Sequence, residues 1–514
     1  MIGGGVAQYN LAPEFDRFAN IYRSGSTQVV WMKLVADLET PVSAMMKIAN
    51  GEPNSFLLES VEGGAIRGRY SLIGLRPDII WRYADGLTEI NRQAQITESN
   101  FSPCPVGMTD GPLASLRSLL AESRIKLPDH LPPMSAGLFG YMSYDAIRLV
   151  EPRVPDNNPN TLALPDSLFI RPTVMAIFDA LEDSLTLVTP VWNDEKIDVE
   201  SAYFFAKDRL TNVAADLRKT LPSYGEHRKC EPEPAIPKSN MSKDDFHNIV
   251  RTCIDYIHAG DAFQIVPSQR FSLPFDLPDF SFYRALRRLN PSPFLFFMNF
   301  GSFSVVGSSP EILVRVRNGK VTLRPLAGTR PRGKTPEEDR QLAAELLDDP
   351  KECAEHLMLL DLGRNDVGRV AEVGSVKVTE QFIVEFYSHV MHIASNVEGD
   401  LAKGCDMIDA LLAGFPAGTV SGAPKVRAME IIDEVEPERR GVYAGCIGYF
   451  GADGDMDTCI ALRTAVIKDK MIYIQAGCGV VADSDPEYEY QETVNKARAL
   501  VRAAEEAEAF SETT

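Results

Sequence analysis

Two segments of the sequence have the pattern of partly apolar helices, and each carries two glutamates three residues apart. The first lies near the C-terminus, where Asp485 and Pro486 are typical of a helix N-terminus. At about 100° per residue, Glu489, Glu492 and Lys496 share one face of this helix. Neighbouring carboxylates repel each other, so a helix that packs into a protein needs a partner to neutralise them.

The second segment is residues 350–360, PKECAEHLMLL. It is apolar around most of its circumference, which predicts a buried helix. It carries Glu352 and Glu355 on one face, with His356 beside them. The ordinary alternative is that Glu352 completes a capping box with Asp349 while Glu355 meets an arginine.

Together the two helices predict a magnesium site. Four inward-facing carboxylates favour a hard divalent cation, and ligation by oxygen alone suits Mg²⁺. Because Mg²⁺ keeps few protein ligands, the simplest arrangement is one glutamate from each helix, completed by water and a substrate carboxylate. Lys496 would balance part of the excess negative charge.

The overall composition argues against several classes of partner. The 514 residues include 72 Asp and Glu against 52 Lys and Arg, a net charge of −20, which predicts no binding to nucleic acid or anionic membranes. No apolar run reaches the ~18–20 residues that cross a bilayer, and no signal peptide is expected. The eight cysteines form no CxxC pair, which predicts free thiols and a cytoplasmic location.

Changes in composition divide the chain into four regions. Residues 1–25 resemble a tether, and residues 26–220 alternate strand and helix patterns. Residues 221–241 are polar and Pro-rich, which predicts a linker. Residues 242–510 form a second region of mixed strands and helices, which should begin with a helix capped by Ser242.

Three glycine-bearing turns lie where backbone could approach an anion. They are LAGTRPRG at 326–333, AGTVSGAPK at 417–425 and QAGCGV at 475–480. The second lacks the GxxxxGK[ST] spacing of a nucleotide-binding loop. Ordinary turn chemistry is the alternative for each of them.

Two polar residues stand among apolar neighbours. Arg463 lies in the strand-like segment 458–466, so it should have a bound anion or a carboxylate partner. His392 alternates with apolar residues in the segment 390–394. A hydrogen-bonded core histidine is the alternative to a functional role.

Several of these motifs, in this order, resemble the chorismate-utilising enzymes. They are PLAGTRPRG, EHLMLLDLGRND, FPAGTVSGAPK, CIALRTA, QAGCGVVADSDPEYEYQET and NKA. The N-terminal LLES and the later NPSPF resemble the branch formed by anthranilate synthase component I, so the resemblance covers nearly the whole chain.

The resemblance implies an α+β fold of four layers, α/β/β/α, in which two large sheets pack face to face with helices outside. It also implies a Mg²⁺-dependent lyase that acts on chorismate, a small dianion. By resemblance, Glu355 and Glu492 bind the metal, which holds the ring carboxylate of chorismate. Glu352 and Glu489 support it through water or hydrogen bonds.

The resemblance further implies three catalytic residues. Glu311 is the general acid for the departing 4-hydroxyl as ammonia attacks C2. His392 assists the later loss of pyruvate, and Lys496 lies near the ring carboxylate. The implied substrate-binding residues are Gly328, Thr329, Thr419, Tyr443, Arg463, Gly477 and Gly479.

Two positions distinguish branches of the family. Isochorismate and salicylate synthases have a lysine where this chain has Gln264, and aminodeoxychorismate synthases have a nucleophilic lysine where it has Ala327. Without these lysines, direct use of ammonia to make anthranilate and pyruvate is the favoured activity. No segment resembles a glutaminase, so a separate glutamine amidotransferase subunit, component II, is the expected ammonia source. Aminodeoxychorismate synthase component I and a non-catalytic Mg²⁺-dependent binding protein are the alternatives.

In this branch the LLES and NPSPF stretches resemble a pocket for tryptophan, the end product of the pathway, as feedback inhibitor. The implied tryptophan-binding residues are Glu59, Ser60, Pro293, Phe294, Leu295, Ile447 and Tyr449. Phe294-Leu295 stands where the family often has Tyr-Met. The alternative is a surface strand packed on a Pro-rich loop.

Overall fold

The structure is a computed structural model. It describes residues 10–62, 66–97, 99–222, 236–387 and 390–511. The first nine residues of the predicted tether and residues 223–235 of the predicted linker lie outside the described residues.

The described part of the chain forms the following α-helices: α1 Phe15–Arg23, α2 Pro41–Ile48, α3 Pro105–Asp110, α4 Pro112–Glu122, α5 Val199–Asp216, α6 Lys243–His258, α7 Asp279–Leu289, α8 Pro336–Asp348, α9 Pro350–Gly368, α10 Met407–Gly414, α11 Gly418–Ser421, α12 Lys425–Val435 and α13 Pro486–Glu506.

The same residues form these strands: β1 Leu11–Ala12, β2 Gln28–Val35, β3 Ser55–Glu62, β4 Ile66–Ala84, β5 Leu87–Asn91, β6 Ser102–Pro103, β7 Gly137–Met142, β8 Ser167–Asp179, β9 Ser184–Val191, β10 Lys238–Ser239, β11 Gln264–Ile265, β12 Ser268–Pro274, β13 Phe294–Asn299, β14 Ser304–Ser309, β15 Ile312–Arg317, β16 Lys320–Leu323, β17 Leu326–Pro331, β18 Lys377–Phe386, β19 Val390–Asp400, β20 Gly422–Ala423, β21 Cys446–Gly451, β22 Met456–Ile460, β23 Thr464–Lys468 and β24 Met471–Gly477.

Two long strands, β4 and β8, join two antiparallel sheets. One sheet runs β1-β2-β9-β8-β4-β3-β13-β14-β23-β24-β12-β10. The other runs β6-β5-β4-β8-β7-β21-β22-β15-β16-β19, with β17 and β18 both paired to β19. Both sheets therefore take strands from the sequence regions 26–220 and 242–510.

Three hydrophobic clusters show how the layers stack. One lies between the sheets and joins Phe56 and Phe296 of the first to Phe139 and Tyr449 of the second. A second cluster packs α1, α5, α7 and α13 on the outer face of the first sheet. A third packs α4, α6, α9, α10 and α12 on the outer face of the second sheet. The predicted four-layer α/β/β/α fold is confirmed.

The N-terminal segment differs from the predicted tether. Its helix α1 buries Phe18, Ala19 and Tyr22 in the cluster over the first sheet. These side chains lie three to four residues apart, so they form one apolar helix face, and burying that face removes it from water. The described part of the segment is thus integral to the core.

The two glutamate-bearing helices form where the sequence predicts them. Asp485 caps α13 through the Tyr488 amide, and Asp349 caps α9. Helix α9 is only partly buried. Leu357 remains 46% exposed, whereas the residue before it, His356, is fully buried. The predicted capping of α6 by Ser242 is confirmed. Among the residues that the structure describes, no helix is long and apolar enough to cross a membrane.

Candidate functional site

Helices α9 and α13 bring their glutamates near one another. Burial raises the pKa of Glu355 above its ordinary value, and the nearby carboxylates of Glu352 and Glu492 raise it further. Its Oε1 accepts a hydrogen bond of 3.1 Å from Nε2 of Gln264. The uncharged amide orients Glu355 without neutralising it.

Lys496 balances the charge on α13. Its ammonium lies 2.6 Å from Glu492 and donates to the carbonyl oxygen of Gly477 at 3.0 Å. The lysine therefore ties the glutamate pair to the end of β24, where another predicted part of the site lies. This is the balancing role that the sequence predicts for Lys496.

The other two glutamates have different surroundings. Glu489 is buried, and burial raises its pKa, while its Oε2 atom has no hydrogen-bond partner among the described residues. The Arg330 guanidinium forms an ion pair of 3.1 Å with the Glu352 carboxylate and a second one of 2.7 Å with Asp349. The alternative interpretation of this helix expected an arginine beside Glu355. In the structure the arginine pairs with Glu352 instead.

These carboxylates fit a small cation that uses few protein ligands. No cluster of three or more His, Cys, Asp or Glu in a metal-binding arrangement is found within the described ranges. The unpartnered oxygen of Glu489 and the raised pKa of Glu355 both indicate negative charge without a full complement of partners. An ion held by two of the carboxylates and completed by water or substrate suits these observations.

Glu311 lies in the turn between β14 and β15 and is buried. Its Oε1 accepts hydrogen bonds from the Leu326 amide at 3.3 Å and from the Thr419 hydroxyl at 3.5 Å. Burial raises the pKa of its carboxyl to about 8 and outweighs both hydrogen bonds. The group is therefore protonated at neutral pH and can donate a proton.

His392 lies on β19 opposite Thr329 of β17. Its Nδ1 is 2.9 Å from the Gly328 carbonyl oxygen and 3.1 Å from the Thr329 hydroxyl. Because a carbonyl can only accept, Nδ1 carries the proton and Nε2 is left as the basic nitrogen. Burial lowers the pKa of His392 to about 4, so the ring is neutral near pH 7.

Three glycines bring backbone close to these side chains. Gly328 has a φ of +70°, and a Cβ there would lie 3.1 Å from Glu352 Oε2. A Cβ on Gly477 would lie 2.8 Å from the Tyr443 hydroxyl oxygen, and one on Gly479 would lie 2.6 Å from the side chain of Gln264. Larger residues would displace the polar groups around the site, so glycine is required there.

Arg463 lies between β22 and β23 with a φ of +47°. Its Nη1 is 3.4 Å from the Asn290 side-chain oxygen, and within the described residues no carboxylate comes within salt-bridge distance. Burial lowers its pKa. The expected carboxylate partner is therefore not found in the described part of the chain, and a bound anion remains the expectation.

A buried ion pair beside the site escaped the sequence interpretation. Glu436 follows the last residue of α12, and its carboxylate lies 2.6 Å from the Arg440 guanidinium. The side chains of Arg440 and Glu436 are only 1% and 3% exposed. Arg440 also donates to the carbonyl oxygens of Val420 and Val266, both at 2.6 Å. Glu436 accepts from the Ser268 amide. The pair thus joins α11, which carries Thr419, to the segment after Gln264, and only the four-residue spacing of Glu and Arg could have signalled it.

The two stretches predicted for tryptophan are neighbours in the first sheet. Strands β3 and β13 pair so that Glu59 lies opposite Leu295. The Glu59 carboxylate is buried, and it accepts hydrogen bonds from the Tyr283 hydroxyl at 2.6 Å and from the Arg287 guanidinium. Strand β3 is therefore interior, in contrast to the alternative of a surface strand.

The remaining predicted residues lie close by. Ile447 and Tyr449 of β21 belong to the cluster between the sheets, against which Phe294 packs. The Tyr449 hydroxyl accepts a hydrogen bond of 3.1 Å from Arg317. Ser60 follows Glu59 on β3, and a Cβ on Gly68 would lie 2.5 Å from its side chain. The predicted set is divided between the two faces of the first sheet: Phe294, Ile447 and Tyr449 lie in the core between the sheets. Leu295 belongs to the cluster under the outer helices, and the Glu59 carboxylate meets α7 of that layer.

Comparison with known proteins gives consistent matches over most of the chain. A family model described as chorismate binding enzyme matches residues 76–502. Anthranilate synthase component 1 of Cereibacter sphaeroides is 56% identical over 497 residues, which cover 97% of this chain and 98% of that protein. The protein of the same name from Pseudomonas putida is 47% identical over 482 residues, 93% of this chain and 95% of that one.

Two solved structures share the fold. The crystal structure of anthranilate synthase component I from Streptococcus pneumoniae matches with a TM-score of 0.74 at 38% identity, covering 85% of this chain and 92% of that one. The menaquinone-specific isochorismate synthase from Escherichia coli matches with a TM-score of 0.68 at 19% identity, covering 95% and 98%.

Proposed function

The chain belongs to the chorismate-binding enzyme family, and we propose that it is the synthase component of an anthranilate synthase. In this role it converts chorismate and ammonia to anthranilate and pyruvate, the first committed step of tryptophan biosynthesis. The observation that carries the proposal is Glu311, a buried carboxyl whose pKa of about 8 keeps it protonated where a general acid is needed. The 56% identity to a relative named as component 1 of this enzyme supports the same activity.

The four glutamates of α9 and α13 form the metal end of the proposed site. Glu355 and Glu492 would hold Mg²⁺, and Glu352 and Glu489 would orient its water ligands. Bound there, the ion supplies positive charge for the ring carboxylate of chorismate. Lys496, fixed between Glu492 and the Gly477 carbonyl, adds a second cation beside the same group.

The other carboxylate of chorismate, on the enolpyruvyl group, would bind at the opposite end. Arg463 has no carboxylate partner in the described residues and can neutralise it. The Tyr443 hydroxyl lies beside Gly477, so it can donate to the same group together with the amides of Gly477 and Gly479. Gly328, Thr329 and Thr419 line the ring between the two ends.

Glu311 and His392 carry the proton transfers. Ammonia attacks C2 while Glu311 gives its proton to the departing 4-hydroxyl. His392 holds its Nδ1 proton on the Gly328 carbonyl, which leaves Nε2 free to accept the ring proton whose removal accompanies loss of pyruvate. The pKa of about 4 means that this nitrogen is unprotonated and ready at neutral pH.

Ammonia is the proposed nucleophile because the chain has no lysine at either branch-determining position. Gln264 binds Glu355 as a neutral amide, and Ala327 on β17 offers no nucleophile. The relatives are named as component 1, which supports a glutamine amidotransferase as the second subunit. A cytoplasmic location is supported by the seven described cysteines, all of which are free thiols.

Tryptophan is the proposed feedback inhibitor, bound between β3, β13 and the core between the sheets. Ser60 and Glu59 would meet its amino-acid group, and Pro293 and Phe294 would cover the indole against Ile447 and Tyr449. Leu295 would contribute only its backbone, because its side chain packs under the outer helices. Since Arg287 and Tyr283 hold the Glu59 carboxylate, ligand binding must share or rearrange these hydrogen bonds.

One assay tests the activity. The purified chain should convert chorismate to anthranilate with ammonium and Mg²⁺ at raised pH, where free ammonia is present, and should not use glutamine. Product fluorescence and chromatography are the measurements. Isochorismate or 4-amino-4-deoxychorismate as the main product would contradict the proposal and favour another branch, and chorismate binding without turnover would indicate a non-catalytic relative.

A further inference from the structure

A small cavity beside Glu311 has none of the four glutamates of the metal end in its lining. Its volume is about 30 Å³, and its lining includes Glu311 and Thr419 at one end and Gly363, Asp366 and Gly414 at the other. Tyr443, Arg463, Glu355 and Glu492 do not line it. The cavity is therefore distinct from the parts of the site that would hold the two substrate carboxylates.

The cavity can hold water. A water molecule needs roughly 10–15 Å³ of such space and two to four polar partners, so this volume suits about two molecules. One end offers the Glu311 carboxyl. The other offers Asp366, which lies 2.9 Å from the Lys425 ammonium, itself 3.3 Å from the Gly414 carbonyl oxygen.

The Oε2 atom of the Glu311 carboxyl is available to hydrogen-bond this water. Both of its hydrogen bonds, from Leu326 and Thr419, end on Oε1. Among the described residues, Oε2 accepts none. Pro325, Leu359 and Leu362 form apolar parts of the wall, and Arg324, which is ion-paired with Glu385, also lines the cavity.

The proposed reaction produces one water at this carboxyl. A bond forms between ammonia and C2, the two ring double bonds shift, and the C4–O bond breaks with its electron pair on oxygen. That oxygen takes the proton of Glu311 and leaves as water. Glu311 is then a carboxylate, and the ammonium formed at C2 carries the extra proton, which must be released before the next turnover.

We propose that this cavity is the exit site for the water formed from the C4 hydroxyl, and that water held there relays to Glu311 the proton that the C2 ammonium releases, so that no hydroxide remains. The inference rests on the proposed function. The Asp366–Lys425 pair at the end away from Glu311 hydrogen-bonds the water chain, while Thr419 keeps Oε1 fixed and leaves Oε2 for substrate and cavity. Filling the cavity should then slow the step that breaks the C4–O bond and leave substrate binding alone.

Gly363→Ala adds a methyl group at a residue that lines the cavity and should reduce its volume. A Cβ at Gly363 would have its nearest neighbours at 3.9 Å, in Pro325 and Val397, so a methyl group fits without a clash. Gly363 lies inside α9, where alanine is the better helix former, so the variant should fold at least as well as the original chain. Gly368→Ala on the same helix is the matched control, because a Cβ there meets nothing within 4 Å.

The kinetic test separates the cavity from the rest of the site. We expect Gly363→Ala to lower kcat about tenfold, less than the ~10²–10⁴-fold that a general acid contributes, because the acid itself is kept; KM for chorismate should be unchanged. Gly368→Ala should keep the original kcat, and thermal unfolding should show neither variant destabilised. If Gly363→Ala has the same kcat as the unsubstituted chain, the inference is overturned.

A second measurement excludes a general distortion. Supplied with the aminated intermediate, 2-amino-2-deoxyisochorismate, Gly363→Ala should release pyruvate at the original rate, because that step breaks no C4–O bond. Equal slowing of both steps would overturn the inference. Failure of the unsubstituted chain to form anthranilate would instead overturn the proposed function, so the two failures are distinguishable.

Discussion

Gln264 and Glu355 are 91 residues apart in the chain and meet through a hydrogen bond of 3.1 Å from the amide nitrogen to the carboxylate. The residue that distinguishes branches of the family thus contacts one of the proposed metal ligands directly. The amide leaves the negative charge of Glu355 available, whereas a lysine at this position could form an ion pair with it.

The first prediction concerns the metal. Glu355→Gln should abolish turnover and weaken Mg²⁺ binding while the fold is kept, because a neutral amide replaces a proposed ligand. Calorimetric titration with Mg²⁺ measures the binding without relying on activity. Glu505→Gln, at an exposed position near the other end of α13, is the control and should bind the ion normally. Unchanged Mg²⁺ affinity in Glu355→Gln would exclude that residue as a ligand.

The second prediction is a pH dependence set by Glu311. Burial raises its pKa to about 8, so the acid form persists through neutral pH and is lost above that value. At constant free ammonia, kcat should therefore fall as pH rises through about 8. Glu311→Gln should lower kcat by roughly 10²–10⁴-fold.

Glu311 should also affect stability, with a defined sign. The folded state retains its proton up to about pH 8, whereas an unfolded glutamate loses it near pH 4.5, so folding becomes less favourable as pH rises between these values. Denaturant unfolding of Glu311→Gln should show a weaker loss of stability over that window. An identical pH dependence in both proteins would exclude this contribution.

The third prediction separates the two chemical steps. His392→Asn should allow amination but slow the loss of pyruvate, because the neutral Nε2 that would accept the ring proton is removed. Chromatography should then show the aminated intermediate accumulating before anthranilate. If anthranilate formed as fast as before, His392 would have only the structural role given by its hydrogen bonds to Gly328 and Thr329.

The fourth prediction concerns the buried pair Glu436–Arg440. Arg440→Met leaves Glu436 buried without its partner and should cost about 3–5 kcal/mol of unfolding free energy. Arg502→Met is the matched control, since Arg502 forms an equally spaced pair with Glu506 but is 65% exposed. That change should cost only about 0.3–0.5 kcal/mol. Equal losses in the two variants, measured by denaturant unfolding, would contradict the prediction.

The fifth prediction concerns tryptophan. The unsubstituted chain should bind tryptophan, and Ser60→Phe should weaken inhibition because a bulky ring at this end of β3 would occupy the space proposed for the ligand. Linkage requires chorismate to weaken tryptophan binding by the same factor by which tryptophan weakens chorismate binding. Calorimetry measures both affinities, and a Ser60→Phe enzyme inhibited as strongly as the original would remove the assignment.

Much of the local structure follows from short-range patterns. The caps at Ser242, Asp349 and Asp485 place the starts of α6, α9 and α13, because a side-chain oxygen satisfies the free amides of the first turn. The tether prediction for residues 1–25 failed in the described part because the partners of Phe18 and Tyr22 are distant in sequence. The partial exposure of α9 was missed for the same reason.

By itself, the sequence determined which side chains share a helix face and where glycine is needed, since both depend on local backbone geometry. It placed Glu352 with Glu355 and Glu489 with Glu492, and it indicated a shared cation. Only the tertiary structure decided that Arg330 meets Glu352, that Gln264 meets Glu355 and that Arg440 joins two walls of the site. The same holds for the acidity of Glu311, because the energy of a buried charge depends on every atom that replaces water around it, wherever that atom lies in the chain.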